Sequence, residues 1–257
     1  MKELFSLKGK VAIVTGGNGG IGKRIARGFA GMGADIVIAA RNQEKTASAV
    51  REIKEAFDVR VLGIQFDVVK AEKIRDMVNQ TLDKFDRINI LVNNAGINIR
   101  KMPQDYTVSE WDAMLDANLR GAFLCSQAVY PAMKKAGGGK IINIGSMTAI
   151  LGGAKLVPYG ASKGGIVTMM RNLAVAWAPD NIQINAILPG WIDTKLTRQA
   201  RKDISGLAEG VESRTPMGRW GDPKDLIGAA IFLASQASDF VTGVALPVDG
   251  GFSISML

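Results

Sequence analysis

Tyr159 and Lys163 stand four residues apart in the segment PYGASKGG, so on a helix they share one face. A phenol titrates at about pH 10 in water, and a neighbouring ammonium favours the phenolate, so the pair suits proton transfer at moderate pH. Ser146 ends an apolar run thirteen residues before Tyr159, where its hydroxyl can hydrogen-bond a substrate oxygen. Asn118 lies in the helix-like run WDAMLDANLRGAF and can hold a water that carries protons to or from Lys163. Taken singly, each also has an ordinary structural reading, because strand-end serines, helical asparagines and chance Tyr and Lys neighbours are common.

A second set of residues suits a phosphate-bearing ligand. In TGGNGGIG, residues 15–22, Gly16, Gly20 and Gly22 stand where a tight turn, close phosphate approach and helix–strand packing exclude a Cβ, with Asn18 and Ile21 beside them. The helix that follows can present its N-terminal N–H groups to a pyrophosphate. The spacing departs from GxGxxG, and a glycine-rich turn alone is often only a turn. At the end of the second strand, AARN offers Ala39 and Ala40 in place of a carboxylate that would bind a ribose 2′-hydroxyl. Arg41, with Lys45 nearby, suits a 2′-phosphate, which favours NADP(H) over NAD(H); a solvated arginine is the alternative. Asp67 can accept from an amino group while Val68 covers an adenine face, and in NNAG the amides of Asn93 and Asn94 can fix turns while Ala95 and Gly96 leave room for a flat ring.

Short β-branched runs at 11–15, 35–40, 60–66, 88–94, 140–146, 182–188 and 244–248 alternate with helical stretches. Seven buried strands joined by crossovers imply a mostly parallel, doubly wound α/β sheet flanked by helices. No linker or repeat divides residues 1–257, which read as one domain. The stretch 193–216 exceeds an ordinary connection and is a candidate substrate lid.

Composition narrows the chemistry. The chain contains no histidine, which excludes a Ser/His/Asp triad and His-ligated zinc, and its one cysteine, Cys125, permits neither an internal disulfide nor a Cys-rich site; no metal is expected. The net charge of +8 suits a polyanionic ligand, but no basic tail or interleaved aromatic stripe marks a specific nucleic-acid partner. No apolar run reaches membrane-spanning length and the amino terminus lacks a signal-peptide core, so a cytoplasmic address is the expectation.

In their order along essentially the whole chain, TGxxxGIG at 15–22, Asp67-Val68, NNAG at 93–96, Asn118, Ser146, Tyr159-xxx-Lys163, Pro189-Gly190 and VDGG at 248–251 resemble the short-chain dehydrogenase/reductase family. The resemblance implies a single Rossmann-like domain that moves hydride between a nicotinamide cofactor and a carbonyl or secondary alcohol. It makes Tyr159 the acid/base, gives Lys163 the tasks of lowering its pKa and binding the nicotinamide ribose, has Ser146 position the carbonyl and Asn118 support the relay. Pro189, Gly190, Ile192 and Thr194 match the stretch that contacts nicotinamide. Gly19 is a departure: many NADP-using relatives carry a basic residue there. The resemblance also implies a homotetramer, in which the helices bearing Asn118 and Tyr159 pack against partners and the tail FSISML is compatible with burial.

For substrate, INIRKMP places Arg100 four residues beyond Gly96, where it can pair bidentately with a carboxylate or simply face solvent. The segments FSLKGKVAIVTGG, NNAGINIRK, GGKIINIGSM and PMGRWGDPKDLIGAAIFLASQASDFVTG resemble the sugar-acid branch of gluconate 5-dehydrogenases and 2-deoxy-gluconate 3-dehydrogenases. That likeness implies a small keto or hydroxy acid with Arg100 as carboxylate anchor. A 3-oxoacyl thioester reductase of the acyl-carrier-protein type is the runner-up, with glucose 1-dehydrogenase and hydroxysteroid dehydrogenase behind it. A catalytically silent dinucleotide-binding protein is the alternative from another class, and the complete tetrad speaks against it.

Overall fold

The computed structural model describes residues 2–255; Met256 and Leu257 of the apolar tail lie outside them. Seven strands form one sheet in the order β3-β2-β1-β4-β5-β6-β7: β1 Val11–Thr15, β2 Asp35–Ala40, β3 Val61–Gln65, β4 Ile90–Asn93, β5 Gly139–Ile144, β6 Ile182–Pro189 and β7 Ala245–Val248. All six pairings are parallel, including the edge pair β6 and β7, so the sheet is more uniform than the mostly parallel expectation.

A parallel sheet needs cover on both faces, and the strands are apolar on both. Val11 and Ile13 of β1 enter one core with side chains of α3 Ala71–Phe85, α5 Gly121–Lys135 and α6 Val157–Trp177. Ala12 and Val14 enter the other with α1 Gly20–Gly31, α2 Gln43–Ala56 and α9 Ile227–Ala234. Among the described residues no helix is long and apolar enough to cross a membrane.

Three local departures from the sequence expectation bear on the site. β5 stops at Ile144, so Ser146 lies beyond the strand and its hydroxyl caps a short turn by accepting from Thr148 N–H at 3.1 Å. Asn118 occupies a wide π-helical turn, Asp116–Arg120, between α4 Val108–Leu115 and α5, a local geometry often found at functional sites. The lid candidate at 193–216 contains two helices, α7 Lys195–Asp203 and α8 Leu207–Arg214, the first capped by the Thr194 side chain.

The chain crosses from β3 at one side to β4 at the other, so the carboxyl ends of β1 and β4 flank the crevice where the strand order reverses. The buried Thr15 hydroxyl clasps these ends: it donates to Val92 O at 3.1 Å and accepts from the N–H groups of Asn94 at 3.0 Å and Ala95 at 3.1 Å. The Asn94 amide returns the bond, donating to Thr15 O at 2.9 Å and Gly16 O at 3.3 Å. Thr15→Val keeps the shape but orphans two backbone donors, so it should lower stability to urea by about 1–3 kcal/mol. An unchanged denaturation midpoint would show that the clasp contributes nothing.

Candidate active site

The glycine turn is shaped from below by the same clasp. Gly16 has φ +65°, and a Cβ there would lie 2.9 Å from Asn94 Nδ2 and 3.2 Å from Ala95 Cα. A Cβ on Gly22 would enter the Asn94 amide and come 2.7 Å from Gly16 O, so only glycine lets α1 start this close to the strand ends. The upper side is open: a Cβ on Gly19 would meet nothing within 4 Å, and one on Gly20, at φ +51°, only the Thr194 side chain at 3.7 Å. The start of α1, with Ile21 in its first turn, therefore faces free space. Asn18 braces the turn by donating to Thr46 Oγ1 at 3.1 Å and to Asn42 O at 3.3 Å.

Two cavities share Gly16, Asn18, Gly96 and Ile97 and so form one cleft along the strand ends. The first, of about 560 Å³, is lined by Arg41, Lys45, Asp67, Val68 and Ala95. The second, of about 370 Å³, is lined by Ile21, Asn94, Ser146, Tyr159, Lys163, Pro189, Gly190, Ile192 and Thr194. Arg41 is exposed at the mouth, on the strand end where Ala39 and Ala40 leave no acid. A cleft of this length over a glycine cradle with an open helix N-terminus fits an extended dinucleotide, and an Arg at its far end fits a phosphate there.

At the inner end, α6 carries both Tyr159 and Lys163. The Lys163 ammonium donates to Ile144 O at 2.7 Å and lies 5.6 Å from the Tyr159 ring centroid. Burial lowers this ammonium from 10.5 to about 8. The Tyr159 phenol is pushed up by burial, against the downward pull of the Ser146 hydroxyl and the Arg100 charge. The groups that favour the phenolate are thus Ser146 and Arg100, while Lys163, which the sequence paired with the phenol, lies over its ring with a lowered ammonium pKa.

The Asn118 side chain is bonded within the fold. Its Oδ1 accepts from Ile97 N–H at 2.8 Å, and its Nδ2 donates to Ile97 O at 2.9 Å and Ser162 Oγ at 3.1 Å. Ser162 in turn donates to Tyr159 O at 2.7 Å. The side-chain amide spends both protons on this chain of bonds, which makes it a brace between the loop after β4 and α6. Ile97 and Ser162, which no motif singled out, are the intermediate links.

Beyond Tyr159 lies a third cavity of about 220 Å³, lined by Asn98, Arg100, Ser146, Thr148, Trp191, Arg214 and Phe252 among others. Arg100 is held 5.8 Å from the Trp191 ring centroid; burial lowers its pKa while the charges of Tyr159, Asp203 and Tyr106 act to raise it. Leu196 and Thr197 of α7 and Arg214 of α8 wall this cavity, so the lid candidate does border the site. Arg214 escaped the sequence reading because a lone arginine in a polar stretch carries no spacing signal. Among the described residues no cluster of three or more His, Cys, Asp or Glu is placed to hold a metal ion.

A family model described as enoyl-(acyl carrier protein) reductase matches residues 16–253. The chain is 41% identical to the 2-dehydro-3-deoxy-D-gluconate 5-dehydrogenase of Escherichia coli over 249 residues, 96% of this chain and 97% of that one. It is 37% identical to the gluconate 5-dehydrogenase of Gluconobacter oxydans over 254 residues, 99% of this chain and 98% of the relative. Among solved structures, a gluconate 5-dehydrogenase from Burkholderia cenocepacia in complex with NADP and tartrate superposes with a TM-score of 0.93 at 40% identity, covering 99% of each chain. With full-length matches of this kind joined to a Tyr–Lys pair at the end of a dinucleotide-shaped cleft, the chain belongs to the short-chain dehydrogenase/reductase family of oxidoreductases.

Proposed function

We propose that this enzyme interconverts the ketone and secondary alcohol of a sugar acid with NADP(H). The observation that carries the reading is the meeting of three spaces at Tyr159: the cleft that fits a dinucleotide, the buried Lys163, and a small cavity bearing the cations Arg100 and Arg214. Relatives named for gluconate and 2-dehydro-3-deoxygluconate support the acid. The two guanidiniums offer a carboxylate charge-assisted partners that a neutral thioester does not use, in a lining otherwise built from side chains such as Met147, Leu151 and Leu156. A silent dinucleotide binder has no use for the tetrad.

Gly16, Asn18, Gly20, Ile21 and Gly22 would hold the pyrophosphate end, Arg41 the 2′-phosphate, and Asp67, Val68, Asn94, Ala95 and Gly96 the adenosine side and the middle of the cleft. Pro189, Gly190, Ile192 and Thr194 would border the nicotinamide, beside Tyr159 and Lys163. When bound, the cofactor supplies or accepts the hydride. The chain's own residues handle the oxygen: Ser146 orients it, and the phenol of Tyr159, kept protonated by burial, gives it a proton during reduction. Lys163 holds positive charge beneath the ring and, through Ile144 O, a fixed position; Asn118 keeps α6 in register with the loop after β4. Arg100 lines the substrate cavity with Tyr159, and its charge favours the phenolate. Closure of α7 and α8 over the cavity would exclude water from it.

A homotetramer in the cytoplasm completes the reading. Exposed apolar side chains on α4, α5 and α6, namely Trp111, Phe123 and Val175, support an assembly, as do Phe240 and Ile254 near β7. Light scattering reads the subunit number directly.

The first experiment follows NADPH and NADH consumption with 5-ketogluconate, acetoacetyl thioesters and neutral ketones. We expect the sugar acid with NADPH to give the highest kcat/KM; turnover of thioesters alone would overturn the substrate, and a preference for NADH the role of Arg41. Tyr159→Phe should lower kcat by about 10²- to 10⁴-fold while NADPH still binds, and near-normal turnover would remove Tyr159 as the acid.

Lys163 yields a test that needs no substrate. Folded, its ammonium deprotonates near 8 rather than 10.5, so its burial penalty is fully present below 8 and fades as pH rises towards 10.5. Relative to Lys163→Met, the wild type should therefore gain stability across that window, by on the order of 3 kcal/mol in total. A pH-independent difference in urea denaturation would show that the ammonium is not desolvated.

A further inference from the structure

Four side-chain atoms among the described residues are buried without a hydrogen-bond partner: Asn93 Oδ1, Asn98 Oδ1, Thr148 Oγ1 and Arg214 Nε. Three of them, on Asn98, Thr148 and Arg214, belong to residues that line the small cavity beside Tyr159. Buried polar groups are ordinarily satisfied, so their concentration around one cavity marks side chains that would complete their bonding by turning toward a ligand there. The set is chemically mixed: an acceptor on Asn98, a hydroxyl on Thr148 and a cationic donor on Arg214.

Arg214 is the unusual member. Its neighbours in sequence have carboxylate partners: Arg198 and Arg201 both pair with Asp193, and Arg219 pairs with Asp225. Arg214 ends α8 with its guanidinium 4.4 Å from the Phe252 ring centroid, and its Nε has no acceptor. Stacking on an aromatic face orients the plane of a guanidinium while leaving its N–H edge available to a carboxylate. Arg100 lines the same cavity against another ring, 5.8 Å from the Trp191 centroid, and its charge favours the phenolate of Tyr159.

We propose that Arg214 is the carboxylate anchor of the substrate, with Asn98 and Thr148 taking hydroxyls along the chain between it and Tyr159. This rests on the sugar-acid reading above and narrows it. When the ketone lies several carbons from the carboxylate, as in 5-ketogluconate, the reacting carbon can sit at Tyr159 while the charge reaches Arg214. The sequence pointed to Arg100 for the anchor, and Arg100 lines the same cavity; the anchor proposed here is Arg214, whose Nε is without an acceptor.

The test compares 5-ketogluconate with the neutral ketohexose that carries a CH₂OH in place of its carboxylate. For Arg214→Met we expect KM for the acid to rise about 10- to 100-fold, the loss of a charge-assisted pair, with kcat little changed and the neutral ketose unaffected. Arg214→Lys should recover part of the loss. Arg100→Met is the control that holds if the first variant folds poorly: it should slow both substrates yet preserve the preference for the acid. Disappearance of that preference in Arg100→Met, an unchanged KM in Arg214→Met, or equal losses on acid and neutral ketose would each overturn the assignment. Turnover of the acid with any of those outcomes removes only Arg214 as anchor, whereas an enzyme that acts on thioesters and on neither sugar removes the sugar-acid reading with it.

Discussion

The site depends on one hydroxyl. At the switch point of a doubly wound sheet two neighbouring strands send their chains in opposite directions, and past Val14 and Val92 the ladder between β1 and β4 no longer supplies a tie. Thr15 supplies it, joining Val92, Asn94 and Ala95 through a single buried oxygen while Asn94 holds the backbone of Thr15 and Gly16. The glycines above are a consequence of this clasp. With the Asn94 amide drawn under the turn, any Cβ at Gly16 or Gly22 would collide with it. The glycine turn is therefore the upper surface of this clasp.

The other end of the cleft is governed by desolvation. Lys163 is 5% exposed and Tyr159 lies against it, so burial favours the neutral form of both groups. The neutral phenol keeps its proton but gives it up less readily as its pKa rises, and an anionic or polar ligand brought beside the lysine, whose charge is costly, offsets the cost of burial. The fold accepts this cost because the lysine is anchored on Ile144 O and α6 is tied through Ser162 and Asn118 to Ile97. The wide turn at Asp116–Arg120 places Asn118 for that tie in the helical path from α4 into α5.

The same logic of unspent bonding runs into the substrate cavity. Arg100 and Arg214 are held by the faces of Trp191 and Phe252, and neither forms an ion pair with a described side chain. Aromatic stacking fixes a guanidinium without consuming its donors, whereas the nearby Arg198, Arg201 and Arg219 spend theirs on Asp193 and Asp225. The division separates arginines spent on carboxylates from two that line the cavity without an ion pair.

From the chain alone came the alternation of strands and helices, the glycine turn, the Tyr159–Lys163 pair and the absence of histidine chemistry. These are local properties: periodicity and fixed spacing express which side chains share a face, whatever the rest of the molecule does. The end of β5 before Ser146, the π-helical turn around Asn118 and the two helices within 193–216 were not legible, because each boundary is set by hydrogen bonds to distant segments. Thr15 read as the last residue of a strand and Arg214 as one charge among many. Their roles arise from atoms brought together across the fold: Thr15 meets Asn94 79 residues away, and Arg214 meets Phe252 and a cavity assembled from five separate stretches of chain. Which polar atoms find partners and which are left open is decided only when the tertiary structure removes water from around them, so the unpartnered atoms of Asn98, Thr148 and Arg214 are legible only in the fold, whereas Ser146, Tyr159 and Arg100 were already marked by their types and spacing.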